Sequence, residues 1–365
     1  MFQKIIFVSA GGTGGHIFPA LTLSSKLKKQ GYKLYFITDK RGLRFLSDHK
    51  NNNLFERVFT IPASGFAGKS IVYKLKSIFN VLIGLLISIV IVLRFKPKLS
   101  IGFGGYTTVP VIIISKLLCK KVIIHSADTV FGLSNKILSF FSDKICTSFK
   151  EVKNIPNSNI NKVVFTSLPV QEDFYKYANA PYLIKDNKIK ILITGGSLGA
   201  SSLSTPIALA VQALPIKIKN RLHIYHQVYS DSLHEVIKIY KKNNISADVA
   251  TFFNNIPNLL KGCNLFIGRS GASTIHELMI IKRPSILIPL IHKDRHQIFN
   301  AEVLEKTGGA IIVLQDDNFV DSLKSSLLYL LSDKSRLNVM YKNLQQIKFE
   351  NSIFKMLEIV NNFMR

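Results

Sequence analysis

Ile5-Ile6-Phe7-Val8-Ser9-Ala10-Gly11-Gly12-Thr13-Gly14-Gly15-His16 joins a short apolar run to a turn that holds four glycines and a histidine. The run reads as a buried strand, and residues 17–30 carry a helical pattern after it. A strand, a glycine turn and a helix in that order mark an α/β fold, which places ligand chemistry beyond the carboxyl ends of its strands. Glycines let the backbone approach a ligand closely, and the N–H groups at the helix start favour an anion there. The spacing is not that of the dinucleotide fingerprint. Counting from Gly12, Gly14 fits, but Ile17 fills the third glycine position; Asp39, after the strand 33–38, mimics the ribose-binding acid. Taken alone, the turn equally fits a tight connection with no ligand.

Three further turns repeat the design. Residues 99–101 run into Gly102-Phe103-Gly104-Gly105-Tyr106, residues 189–193 into Thr194-Gly195-Gly196-Ser197-Leu198-Gly199-Ala200, and residues 265–267 into Gly268-Arg269-Ser270-Gly271-Ala272-Ser273-Thr274. Two turns fall in each half, which predicts two Rossmann-like, doubly wound parallel-sheet domains whose turns line one central cleft. The expected boundaries are 1–166 for the first domain, 167–187 for a linker, 188–340 for the second domain and 341–365 for a helical tail packing back on the first.

The 365-residue length suits two cores, and a 47% apolar content excludes wholesale disorder. Three scattered cysteines, Cys119, Cys146 and Cys263, suit neither a disulfide framework nor a cysteine zinc site. The apolar run at the N-terminus is too short for a secretory signal, so the protein is expected in the cytosol. A net charge of +26, from 48 Lys and Arg against 22 Asp and Glu, points to polyanions. Nucleic acid is the weaker option, because the lysines are scattered and no nucleic-acid module accompanies them. The apolar stretch 78–93, flanked by Lys74, Lys76, Lys96 and Lys98, bears on the other option, an anionic membrane surface. It falls short of the roughly 20 residues needed to cross a bilayer. A buried or half-buried helix ranks first for it, an interfacial helix on anionic lipid second and a true span third.

Gly11-Gly12-Thr13-Gly14-Gly15-His16, Gly102-Phe103-Gly104-Gly105-Tyr106, Gly195-Gly196-Ser197-Leu198-Gly199-Ala200, Arg269-Ser270-Gly271-Ala272 with Glu277, and His292-Lys293-Asp294-Arg295-His296-Gln297 with Asn300-Ala301 together resemble the MurG family, glycosyltransferase family 28. The resemblance runs in order from the first strand to Ala301 and implies a GT-B fold. It further implies an inverting transferase that moves N-acetylglucosamine from UDP-GlcNAc to the muramoyl 4-hydroxyl of undecaprenyl-linked lipid I, giving lipid II for peptidoglycan. With it come peripheral attachment to the cytoplasmic face of the inner membrane and cell-wall assembly proteins as further partners. Matched position by position, Ser197 touches the diphosphate, Phe253 reads the uracil edge through its backbone, and Ala272, Ser273, Thr274, Ile275 and His276 surround phosphates and ribose. Glu277 accepts the ribose hydroxyls, Gln297 contacts the sugar, Thr13, Gly14 and Gly15 close over the donor, and His16 is the base. Gly104, Gly105, Tyr106 and His125 fall on the acceptor side, where Tyr106 and His125 fit groove lining and plain packing equally.

Elementary chemistry agrees with these roles. A carboxylate can accept from both hydroxyls of a cis-diol, and an imidazole titrates near neutrality, as a general base should. The alternative, a structural histidine that caps its turn, is outweighed by its position after four glycines at the end of a buried strand. The sequence has no Asp-x-Asp, so no dedicated metal is expected, and cations such as Arg269 and helix N-termini must meet the charge on the leaving group. Two positions depart from the family. His125-Ser126-Ala127-Asp128 replaces His-Glu-Gln-Asn, and Ser167-Leu168-Pro169-Val170-Gln171 replaces Gly-Asn-Pro-Val-Arg, so Asp128 adds a negative charge and Gln171 lacks a positive one. The alternatives are another GT-B enzyme, such as a lipid galactosyltransferase or a UDP-GlcNAc epimerase, and a non-catalytic nucleotide-binding Rossmann protein.

Overall fold

The computed structural model describes residues 4–47, 53–62, 71–184, 188–196, 201–291, 294–349 and 352–365. The chain forms two compact units, Met1–Gln171 with Glu350–Arg365, and Glu172–Phe349. In the first unit the strands are β1 (Ile5–Ser9), β2 (Lys33–Thr38), β3 (Arg57–Thr60), β4 (Leu99–Gly102), β5 (Lys121–Ser126), β6 (Lys144–Thr147) and β7 (Val163–Phe165). They form one parallel sheet in the order β3-β2-β1-β4-β5-β6-β7. The second unit contributes β8 (Ile189–Thr194), β9 (Leu222–Gln227), β10 (Ser246–Ala250), β11 (Leu265–Gly268), β12 (Ser285–Leu287) and β13 (Ala310–Ile312), parallel in the order β10-β9-β8-β11-β12-β13. In each sheet the order reverses beside its first strand, between β1 and β4 and between β8 and β11. All four glycine turns sit at these two switch points, where a doubly wound sheet opens a crevice.

The central strands are apolar on both faces, as a covered parallel sheet requires. Ile6 and Val8 pack among the buried residues of the helices Gly14–Lys29 and Ser352–Met364, while Phe7, between them, packs with Val92 and Val111 on the other face. Burying a side chain of this size contributes about 1.5–3 kcal/mol. The helix Gly14–Lys29 begins three residues before the expected 17, because the last two glycines of the turn are already helical. Ile353, Met356, Leu357, Val360 and Met364 form the buried stripe of the helix Ser352–Met364. Tyr32 Oη donates to Asn361 Oδ1 at 2.8 Å and Lys98 Nζ to the Met364 carbonyl at 2.8 Å. Residues 341–345 instead complete the helix Lys334–Gln345 of the second unit.

The stretch 167–187 is ordered over much of its described length. Arg283, 0% exposed, donates to the carbonyls of Lys261 at 2.6 Å and Pro181 at 3.4 Å. Tyr182 donates to the Asn264 carbonyl at 2.9 Å and stacks on Tyr341 at 4.6 Å. These ties hold residues 181 and 182 to the second unit.

The apolar stretch belongs to a 25-residue helix, Ile71–Phe95, longer than its sequence suggested. Its packing matches the half-buried form of the leading expectation, with one face set against the core through Ile91, Val92, Leu85, Ile87 and Phe95 and the opposite face open. Gly84, Ser88, Ile91 and Val92 face inward; Ser88 Oγ donates to the Gly84 carbonyl at 2.7 Å, and a Cβ on Gly84 would lie 2.9 Å from Pro110 of the helix Thr108–Leu117. The small residues that interrupt the aliphatic run are therefore part of its contact surface, beside Ile91 and Val92. Phe79, Leu82, Leu86 and Val90 are exposed by 62%, 53%, 65% and 63%. By length and composition, residues 78–95 could cross a membrane. Their buried stripe and the entry of Lys98 N–H into the sheet through the Ile5 carbonyl, at 3.0 Å, tie them to the folded unit.

Candidate active site

In the first unit, Gly12 takes the left-handed conformation, φ +87°, and turns the chain from β1 into the helix Gly14–Lys29. His16 Nδ1 lies 3.1 Å from the Gly11 carbonyl oxygen. A carbonyl only accepts, so Nδ1 carries the proton and Nε2 keeps its lone pair, the form a base needs. The turn after β4 approaches so closely that a Cβ on Gly104 would lie 3.1 Å from His16 Nε2 and one on Gly105 would lie 2.7 Å from the Gly11 carbonyl oxygen. A Cβ on Gly11 would collide with Thr107 Oγ1. The glycines thus let two neighbouring turns interlock around one imidazole. Thr13 is exposed at the helix start and makes no side-chain cap, while Gly14 is buried and Gly15 and Tyr106 are half-buried.

Of the two readings of His125, groove lining and packing, the structure takes the second. The residue is 0% exposed in β5, with Nε2 3.3 Å from Ser148 Oγ and 3.4 Å from the Ser167 carbonyl and its ring 5.2 Å from Phe103. It is a packed residue beneath the surface and does not line a groove. Asp128 is half-buried just past β5, and Gln171 is exposed as the last residue before the second unit.

In the second unit, Gly195 and Gly196 follow β8, and Ser197 lies outside the described residues. Gly268 ends β11 where a Cβ would collide with the Thr194 carbonyl, so the two turns again approach as only glycine allows. The helix Ala272–Ile281 starts behind Gly271, and its first backbone bond runs from Ile275 N–H to the Gly271 carbonyl at 3.0 Å. The amides of Ala272, Ser273 and Thr274 therefore lack intrahelical acceptors, and no acidic side chain occupies that first turn. Ser273 Oγ is shielded and has no hydrogen-bond partner among the described residues.

Ile275 and His276 belong to the helix start and turn their side chains inward. Ile275 is fully buried, and His276, 1% exposed, sets Nδ1 2.8 Å from the Ala272 carbonyl and its ring edge-on to Phe349. Both are framework. Glu277, one residue on, is half-buried, and that burial pushes its carboxyl up to about 7. Gln297 is the second residue of the helix His296–Glu305; its Oε1 accepts from Leu290 N–H at 3.0 Å, which leaves the amide NH2 to be presented. Phe253 is half-buried in the loop after β10, edge-on to Tyr225 at 6.4 Å, beside a pocket of about 340 Å³.

Arg269 departs from expectation. It is 8% exposed and donates to the Ile288 carbonyl at 3.1 Å, Ser202 Oγ at 3.2 Å and Gln315 Oε1 at 2.8 Å. It braces the start of the helix Ser201–Gln212 instead of offering a free guanidinium. Asp39, read from the sequence as a ribose-binding mimic, is already engaged. Its Oδ1 accepts from Gly42 N–H at 2.8 Å and Gly12 N–H at 3.4 Å, and its Oδ2 from Arg41 Nη2 at 2.9 Å. Arg41 escaped sequence reading altogether, although an arginine two residues after an acid at a strand end was a usable signal.

Residues 6–147 match the glycosyltransferase family 28 N-terminal domain, and residues 190–356 match the glycosyltransferase family 28 C-terminal domain. A protein of Caulobacter vibrioides named UDP-N-acetylglucosamine--N-acetylmuramyl-(pentapeptide) pyrophosphoryl-undecaprenol N-acetylglucosamine transferase is 32% identical over 364 residues, covering 100% of both chains. Its namesake in Paramagnetospirillum magneticum is 36% identical over 329 residues, covering 89% of this chain and 87% of its own. Among solved structures, the crystal structure of Acinetobacter baumannii MurG superposes with a TM-score of 0.77 at 26% identity, covering 98% of this chain and 99% of that one.

Proposed function

The chain belongs to glycosyltransferase family 28, and on that premise we propose that it is an inverting GT-B transferase that moves N-acetylglucosamine from UDP-GlcNAc to the muramoyl 4-hydroxyl of lipid I, yielding lipid II. The observation that carries this reading is identity of 32% sustained over the full length of a relative named for that reaction. The test is transfer of labelled N-acetylglucosamine from UDP-GlcNAc to lipid I by the purified protein. A β-linked disaccharide on the lipid is the expected product. Release of free sugar, or epimerisation of the donor without lipid I, overturns the reading.

Each unit supplies part of the chemistry. His16 Nε2 takes the proton of the attacking hydroxyl while Nδ1–H remains on the Gly11 carbonyl. The hydroxyl oxygen then bonds to the anomeric carbon, and the bond to the diphosphate breaks with inversion. Negative charge grows on the departing UDP. The free amides of Ala272, Ser273 and Thr274 suit that charge, because they are already oriented and need no reorganisation. Glu277 accepts from the ribose hydroxyls, and the Gln297 amide donates to the sugar. Ser197, Phe253 and the turn Thr13–Gly15 complete the donor contacts, with Gly104, Gly105 and Tyr106 on the acceptor side.

The acceptor is membrane-bound, and the exposed stripe of the helix Ile71–Phe95 supports peripheral docking on the cytoplasmic leaflet. Apolar side chains at 79, 82, 86 and 90 lie on one helical face, with Arg94 and Lys96 exposed at its end, a combination that suits anionic lipid. Leu85 is half-buried, so the informative substitutions are Leu82→Glu, Leu86→Glu and Val90→Glu together. This variant should stay in the supernatant when vesicles containing phosphatidylglycerol are sedimented, whereas the unmodified protein pellets. Equal pelleting of the two overturns docking through this face.

A further inference from the structure

Gly11 and Gly12 share one peptide plane, and both of its polar ends are engaged. Its carbonyl accepts from His16 Nδ1–H at 3.1 Å, and its N–H donates to Asp39 Oδ1 at 3.4 Å. Carboxylate, peptide and imidazole therefore stand in one hydrogen-bonded line. We infer that Asp39 is a positioning residue for His16, acting through the Gly11–Gly12 peptide and tuned by Arg41. This rests on the reading of His16 as the base.

The physical argument has two parts. Asp39 is 4% exposed, and its Oδ1 ties Gly12 N–H and Gly42 N–H together, which fixes the plane that orients the imidazole. Hydrogen bonds in series also polarise one another: a negative carboxylate on the N–H makes the opposite carbonyl a stronger acceptor. That favours the imidazolium formed once Nε2 has taken the acceptor proton. No proton crosses the peptide. Nε2 gains one, Nδ1 keeps its own, and Asp39 remains a carboxylate. The arrangement performs the task of the aspartate in a Ser-His-Asp triad with one peptide group inserted.

Arg41 opposes the effect, because Oδ2 accepts from its Nε at 3.2 Å and its Nη2 at 2.9 Å, drawing negative charge away from Gly12. Its side chain is 63% exposed, so it can be removed without opening the core. The helix Lys40–Ser47, which follows Asp39 directly, also carries Lys40 and Arg44, and Tyr106 is the titratable residue on the turn after β4.

Four variants test this: Asp39→Asn, Arg41→Ala, His16→Ala, and His16→Ala combined with Asp39→Asn. Asparagine retains an acceptor oxygen and loses the charge. Asp39→Asn should lower kcat by roughly ten- to hundredfold, leave KM for UDP-GlcNAc unchanged, and move the acid limb of the kcat–pH profile to lower pH. Arg41→Ala should move that limb to higher pH, the opposite direction. The double variant should be no slower than His16→Ala alone. A fall in kcat with the acid limb unmoved in both single variants makes Asp39 merely structural and overturns the inference. So does an Arg41→Ala variant whose only defect is a raised KM for lipid I. Should His16→Ala itself remain active, the base assignment fails independently of the Asp39 results. Should His16→Ala be inactive while Asp39→Asn matches the unmodified enzyme, only the positioning role fails.

Discussion

His16→Ala should cost roughly 10²–10⁴-fold in kcat for transfer to lipid I while leaving the affinity for UDP-GlcNAc unchanged. The expectation follows from where the imidazole sits. One nitrogen is committed to the Gly11 carbonyl, and the other lies against Gly104, where any side chain would crowd it. The proposed donor contacts of Glu277 and Gln297 belong to the second unit, so donor affinity should survive. Steady-state kinetics with both substrates, together with calorimetric titration of UDP-GlcNAc, separate the two quantities. Near-normal turnover makes His16 a structural cap on its turn, and loss of donor binding makes it a ligand.

The second large effect concerns Glu277. Each hydrogen bond to a charged group contributes about 1.5–3 kcal/mol, so losing two ribose contacts in Glu277→Ala should weaken UDP-GlcNAc binding by about 100-fold or more. The pH dependence gives an independent check. Burial holds the unliganded carboxyl at about 7, so below that value it carries a proton, and ribose hydroxyls need the ionised form as their acceptor. Binding therefore expels a proton, and affinity should rise between pH 6 and 8 and then level off. Glu277→Gln should bind weakly with a flat profile. In the absence of donor the sign for stability is opposite. The folded carboxyl holds its proton at pH values where the unfolded one, at 4.5, has lost it, so stability falls as pH rises from about 4.5 to about 7. A pH-independent affinity in the unmodified protein would remove Glu277 from the ribose.

Much of this architecture was legible because buried parallel strands are written as short apolar runs, and the glycines that follow them cannot be exchanged where backbones nearly touch. Gly105 beside the Gly11 carbonyl and Gly268 beside the Thr194 carbonyl are such cases. β7 and β13, three residues each, were missed because so short a run carries no periodicity. The side chain of Arg269 was misjudged, and the surroundings of His125 and His276 were not legible, for a different reason. A histidine or arginine near a glycine turn looks the same in sequence whether it faces solvent or a carbonyl below it, and burial is decided by distant segments such as Ser167, Phe349 and Gln315. In the helix Ile71–Phe95 the aliphatic run hides two faces, since Gly84 and Ser88 turn inward with Ile91 and Val92 while Phe79, Leu82, Leu86 and Val90 turn outward.

The return of the helix Ser352–Met364 to the first unit bears on how the protein is made. On the ribosome, residues 1–171 emerge first, yet the apolar face around Ile6, Val8 and Leu23 is covered only in part, by the helix Gly14–Lys29, until Ile353 to Met364 arrive, after the whole second unit has been synthesised. The contact from Tyr32 to Asn361 closes a loop of 329 residues, a separation at which chain closure is slow and entropically costly. The first unit to leave the ribosome is therefore the last to be finished, and the interval between the two is when this chain depends most on protection from aggregation.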